Sequence, residues 1–135
     1  MGDNQRMRAA WFESFGAADE VLRVGDVDRP EPGPGDVLVR LHASGVNPSD
    51  VKKRAGSFPN LLDDGPVIPN SDGAGVIEAV GDGVPASRVG ERVWVYQAQF
   101  ERRFGTAAEY VAIEESRAPR LHDNAGFDIG ACLGI

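Results

Sequence analysis

Proline and glycine cut this chain into pieces too short for a helical bundle. Nine prolines and 17 glycines make up about a fifth of its 135 residues, a density that favours a turn-rich β architecture. Between them lie apolar alternations of strand length. Strands are expected over residues 7–12, 21–27, 36–45, 75–80, 91–96 and 106–113. The clearest is 36–45, where Val37, Val39, Leu41 and Ala43 share one face while Leu38, Arg40, His42 and Ser44 share the other. Residues 29–36 (RPEPGPGD) form a rigid loop, because proline fixes φ and removes a donor. Residues 58–70, with Pro59, Pro66 and Pro69, must also be loop. Turns are expected at 14–20 and 84–90, and 117–121 is extended around Pro119. The last ten residues, from Gly126, begin to look helical. The pattern is mainly β, a small barrel or sandwich with one short helix and a truncated last one.

The short helix follows a sharp corner, Gly45-Val46-Asn47-Pro48-Ser49-Asp50-Val51-Lys52-Lys53. Asn47 is a good N-cap, Pro48 suits the first helical position, Asp50 falls in the first turn and Gly56 ends the helix. Capping by itself accounts for these residues, at about 0.5–2 kcal/mol each.

Several functions are disfavoured. A net charge of −7 argues against nucleic acid and anionic membranes as partners. The single cysteine, Cys132, cannot form an internal disulfide, which suits a reducing cytoplasm. The polar N-terminus is not a signal peptide, and no apolar run approaches the roughly 20 residues of a membrane span. A catalytic zinc needs three ligands from Cys, His and carboxylate, and a structural one needs four. One cysteine and two separated histidines, His42 and His122, make no such cluster, and both histidines read as structural or surface residues. Gly73-Ala74-Gly75 mimics a dinucleotide fingerprint, but Glu78 stands where its third glycine belongs. A β-branched strand follows where a helix must open. No G-x-S-x-G is present, and Cys132 in an apolar helix is expected to be buried and inert.

Taken in order, GVNPSDVKKRAG, PNSDGAGVIEAVGDGV, GTAAEYVAI and the closing ACLGI resemble the N-terminal catalytic domain of the medium-chain dehydrogenase/reductase superfamily. The likeness is greatest to its zinc-free branch of NADPH:quinone oxidoreductases and enoyl reductases, and it runs from Met7 to Ile135. It implies a GroES-like, partly open β-barrel over residues 1–125. Residues 126–135 would start the connection to a nucleotide-binding domain. Zinc-dependent relatives carry a cysteine ligand where this chain has Asn47, and a histidine ligand followed by Glu at Ser71-Asp72. Their four-cysteine lobe would fall between Val93 and Gly105. The resemblance therefore implies a member without metal. In the zinc-free branch the N-x-x-D segment, here Asn47 and Asp50, lies at the nicotinamide and substrate cleft. Lys52 stands where many relatives have Tyr.

What the resemblance implies is a cytoplasmic oxidoreductase. Hydride passes from NADPH, held mainly by the absent domain, to a quinone or an α,β-unsaturated carbonyl. Asn47, Asp50 and Lys52 are the expected catalytic residues. Asn47 and Lys52 also touch the cofactor, and no residue binds metal. Donors on Asn47 and Lys52 would stabilise the developing oxyanion, with Asp50 orienting Lys52 or holding the helix start. Tyr96 and Gln97 are placed at the pocket mouth by position alone. The chain by itself is expected to be inactive, and the full-length enzyme could be a homodimer. Two alternatives stay open: a stand-alone GroES-like binding module, and a fragment of a zinc-type alcohol dehydrogenase. The apolar 126–135 segment could simply fold back on the barrel, or it could mark a domain junction.

Overall fold

The computed structural model describes residues 5–135. The polar start of the chain, read above as no signal peptide, lies mostly outside those residues. Six strands carry the fold. They are β1 (Arg6–Phe12), β2 (Leu22–Asp28), β3 (Asp36–Gly45), β4 (Asp72–Val80), β5 (Arg92–Val95) and β6 (Tyr110–Glu114). Three helices accompany them: α1 (Ala18–Val21), α2 (Pro48–Ala55) and α3 (Phe127–Gly130). The one-turn α1 was not anticipated; that stretch was expected to be a turn.

The named strands pair antiparallel throughout. A four-stranded sheet runs in the order β5-β4-β3-β6, and β1 and β2 form a separate two-stranded ribbon. Isolated bridges from Ala9 to Ala108 and from Phe12 to Val67 fasten the ribbon to the segments that lead into β6 and β4. The sheets curl without closing, so the barrel is partly open.

The alternation in β3 explains the core. Val37 and Val39 point inward with Ile77, Val93, Val95, Val111 and Ile113, and all are buried. Each such side chain contributes about 1.5–3 kcal/mol by leaving water. Leu38, on the opposite face, is buried as well. A smaller cluster of Met7, Ala9 and Ile68, backed by Trp11, Val27 and Tyr110, sits under the β1–β2 ribbon.

Strand β4 begins at Asp72, three residues before the expected Gly75, because its glycines permit close pairing. A Cβ on Gly75 would lie 2.0 Å from the Arg40 carbonyl oxygen of β3. These glycines thus sit inside a strand, and no helix opens from them. Strand β6 is shorter than expected, since residues 106–109 leave the ladder to bond elsewhere. The C-terminal segment folds back: Gly130 packs on Ala74 and Leu121, and the Ala131 carbonyl lies against Gly45. The helix expected there is a single turn, so Cys132 falls beyond it and is exposed. Its expected burial is corrected.

Candidate functional site

Helix α2 forms as its sequence dictates. Asn47 is extended at the N-cap, Pro48 opens the first turn, and Gly56 closes the helix in the left-handed region at φ 104°. Asn47 and Asp50 make a capping box. The Asn47 backbone N–H donates to Asp50 Oδ2 at 2.7 Å. The Asn47 side chain turns toward β4, where its Nδ2 donates to Asp72 Oδ2 at 2.9 Å. The corner therefore ties the start of α2 to the start of β4.

A polar network surrounds this tie, inside an otherwise apolar barrel end. Asp50 is 3% exposed and Asp72 1%. Asn70 Nδ2 donates to Ser44 Oγ at 2.9 Å. The Ser44 and Thr106 hydroxyls are 2.8 Å apart, and Thr106 Oγ1 donates to the Asp72 carbonyl at 2.5 Å. A threonine hydroxyl has one proton, so Ser44 is the donor to Thr106. Asn70 is held at φ 79°, a conformation few non-glycine residues adopt. Asp72 Oδ2 also accepts from the Ile135 backbone N–H at 3.2 Å, so the C-terminal segment joins the network.

Four buried oxygens in this region have no hydrogen-bond partner among the described residues: Ser49 Oγ, Asp50 Oδ1, Asp72 Oδ1 and Gln99 Oε1. Each unpaired group of this kind carries a desolvation cost. Burial accordingly raises the Asp50 carboxyl above its ordinary value. The Asn47 amide, the Lys53 ammonium and the Asn70 amide oppose the rise, and the charge of Asp72 adds to it. Burial likewise lowers Lys53, against the pull of Asp50. Lys53 Nζ donates to the Gln99 carbonyl at 3.3 Å.

Of the residues expected to act together, Asn47 and Asp50 are joined directly. Lys52 is exposed on α2 and stands apart from their hydrogen bonds. The lysine facing Asp50 is Lys53, one helical step of three residues away. Sequence reasoning missed Asp72, Thr106, Gln99 and Lys53 as members of the site. A signal existed for Asp72: it is a charged residue opening a stretch of Gly, Ala and Val, well ahead of the strand's other charge, Glu78. Tyr96 donates its hydroxyl to the Ser116 carbonyl at 3.1 Å, and its Cβ borders Gly134. Gln97 adopts φ 53°, with its carbonyl accepting from Arg117 Nη1. His42 stacks on Phe127 with centroids 4.3 Å apart. His122 Nδ1 accepts from the Asn124 backbone N–H. Among the described residues no group of three or more His, Cys, Asp or Glu is arranged to hold a metal ion, and no helix is long and apolar enough to cross a membrane.

The architecture recurs in known proteins. The chain is 37% identical over 132 residues to the quinone oxidoreductase of Rattus norvegicus, covering 96% of this chain and 38% of that protein. The solved quinone oxidoreductase of Coxiella burnetii superposes with a TM-score of 0.88 at 28% identity, over 96% of this chain and 41% of that one. A mycobacterial protein solved in complex with NADPH matches with a TM-score of 0.77 at 31% identity, over 93% and 35% of the two chains. The chain thus spans about two fifths of the length of such relatives. The family model for the alcohol dehydrogenase GroES-like domain matches residues 33–123, and the chain belongs to that family, with quinone oxidoreductases among its relatives.

Proposed function

We propose that this chain is the catalytic-domain portion of an NADPH-dependent oxidoreductase that reduces quinones or α,β-unsaturated carbonyls without zinc. Residues 1–125 form that domain, and 126–135 begin the connection to a nucleotide-binding domain. The observation that carries this reading is the Asn47–Asp50–Asp72 corner. It holds the Asn47 side-chain amide at a chosen angle, next in sequence to the exposed Val46 and at the start of the helix that carries the exposed Lys52.

The donor set does not suit zinc. The Asn47 group nearest Asp72 is an N–H donor aimed at that carboxylate, which cannot also serve as a metal ligand. Neither a thiolate nor an imidazole joins it, and zinc sites are built from these. The corner does suit a nicotinamide edge, because it offers the exposed apolar Val46 next in sequence to the oriented Asn47 amide. NADPH, when bound, supplies the hydride. Every other demand of the reaction falls on the protein.

An acceptor carbonyl gains negative charge as hydride arrives, and preorganised donors must meet it. The Asn47 Nδ2 carries two protons. Asp72 takes one, which fixes the orientation of the amide and leaves the second for the acceptor oxygen. Asp50 anchors the backbone of Asn47, so the donor does not move with the loop. Lys52, exposed on α2, supplies the second donor from the open side of the cleft. Losing one oxyanion donor costs about 10²–10³ in turnover. In the two-domain protein, Asn47→Ala and Lys52→Ala should each lower kcat toward that range while the far-ultraviolet circular dichroism stays unchanged. Unaltered turnover of both variants with quinone and enone acceptors would remove the assignment.

A further inference from the structure

A second site lies away from the polar corner, under the β1–β2 ribbon. It is a cavity of about 670 Å³ lined by Met7, Trp11, Ile68, Phe104 and Tyr110. That volume falls within the usual range for small-molecule pockets, about 300–1,000 Å³, and the walls are apolar and aromatic as such pockets are. Five charged side chains also reach it: Glu13, Asp28, Arg29, Arg102 and Arg103.

These charges do not cancel within the cavity. Glu13 is paired with Arg23 at 3.2 Å, and Asp28 with Arg6 at 2.6 Å. Arg29 is paired with Glu78 and lies over the Tyr110 ring. Among the described residues, Arg102 and Arg103 have no carboxylate in ion-pair contact. Arg103 directs Nε and Nη2 to the Pro66 carbonyl and lies 4.8 Å from the Phe104 ring centroid. Arg102 is half-buried, with Nε on the Ala98 carbonyl at 2.9 Å and Nη2 on the Ala112 carbonyl at 2.5 Å. Among the described residues its Nη1 donates to no group. Two cations thus stand beside an aromatic chamber whose acids are already neutralised by other arginines. Asp36 and Glu114 act on Arg102 through their charge without touching it, so this partly desolvated guanidinium has no direct anionic partner among the described residues, and a carboxylate is its natural complement.

We propose that this cavity binds a planar aromatic carboxylate. The ring system would lie among Trp11, Phe104 and Tyr110, and the carboxylate would meet Arg102 and Arg103. The site is independent of the hydride-transfer reading, because it shares no residue with the Asn47 corner.

The test titrates the 135-residue chain with 2-naphthoate and, separately, with neutral 2-naphthamide. Trp11 fluorescence is followed, with Trp11→Phe as the signal control. Methyl shifts of Met7 and Ile68 locate the ligand. Naphthoate should quench Trp11 saturably, shift both methyls, and bind at least about tenfold more tightly than the amide, as expected for a charge-assisted contact. Arg102→Gln should remove most of that preference. The amide comparison needs no variant, so the idea stays testable if Arg102→Gln does not fold. Equal binding of the two probes, binding that leaves the Met7 and Ile68 methyls unmoved, or no saturation at millimolar naphthoate would overturn the proposal.

Discussion

Asp50 performs two tasks that pull against each other. As a cap it accepts the Asn47 amide proton, which favours the ionised form. As a buried group with one unpaired oxygen it is pushed the other way, and burial prevails: its carboxyl is raised. The sign for stability follows from this. Below the ordinary carboxyl value, near pH 4, Asp50 is protonated both folded and unfolded, and its contribution is complete. As pH rises, the unfolded carboxyl ionises first, and the contribution is lost as pH passes through the raised folded value. Asp50→Asn keeps the shape and abolishes the titration. The stability of the native chain relative to this variant should therefore fall with pH from about 4 and then level off. Urea midpoints of the two proteins between pH 3.5 and 8 measure it, and a gap that stays constant or widens in favour of the native chain would refute it. At this scale the sequence was half legible. Asn47 and Asp50 announce themselves by cap spacing, which is local. Asp72, Thr106 and Gln99 join them only through tertiary contacts of β4 and the loops beside it, which no local pattern reveals. Lys53 was overshadowed by its neighbour Lys52, because a helix of two turns leaves little periodicity to tell the inward lysine from the outward one.

Elements whose reasons are local were foreseen, and those whose reasons are distant were not. Strand β3 and helix α2 sit where alternation, N-cap, proline and C-terminal glycine put them. Strand β4 starts early because Gly73 and Gly75 meet β3 backbone and Thr106, a fact of pairing. Residues 106–109 carry a strand-like pattern yet serve as the hinge to the ribbon, with the Ala107 carbonyl accepting from Ala10 at 2.8 Å. Two glycine substitutions separate these kinds of cause. Gly56→Ala places a Cβ at φ 104°, where space is adequate, with Phe15 no nearer than 3.5 Å. The cost is torsional, about 1–2 kcal/mol. Gly75→Ala drives a Cβ to 2.0 Å from the Arg40 carbonyl oxygen. Strands β3 and β4 would have to part, and a loss of at least about 3 kcal/mol is expected. Chemical denaturation of both variants checks the order; a Gly56 variant less stable than the Gly75 variant would contradict it.

The whole molecule presents its polar corner beside uncovered apolar side chains. Val46 is 70% exposed and Ile135 65%, and Ile129 and Leu133 are also exposed. Ile135 reaches Asp72 through its backbone, and Asp72 in turn holds Asn47. The apolar strip and the proposed oxyanion donor thus share one edge of the barrel. Single exposed apolar residues need no explanation, but a run of them along one edge marks a contact surface. The relatives supply the scale: this chain covers 38% of the rat quinone oxidoreductase. On the function proposed above, these 135 residues form one wall of a cleft whose phosphate-binding wall belongs to a nucleotide-binding domain. The chain alone should fold cooperatively, yet show no quinone turnover and no tight NADPH binding by calorimetry. In the two-domain protein the same strip should be covered, so backbone amides of residues 129–135 should exchange with deuterium more slowly than in the isolated chain. Tight NADPH binding by the 135 residues alone would sink the two-part cleft. Unchanged exchange at 129–135 would move the covered surface elsewhere on the barrel.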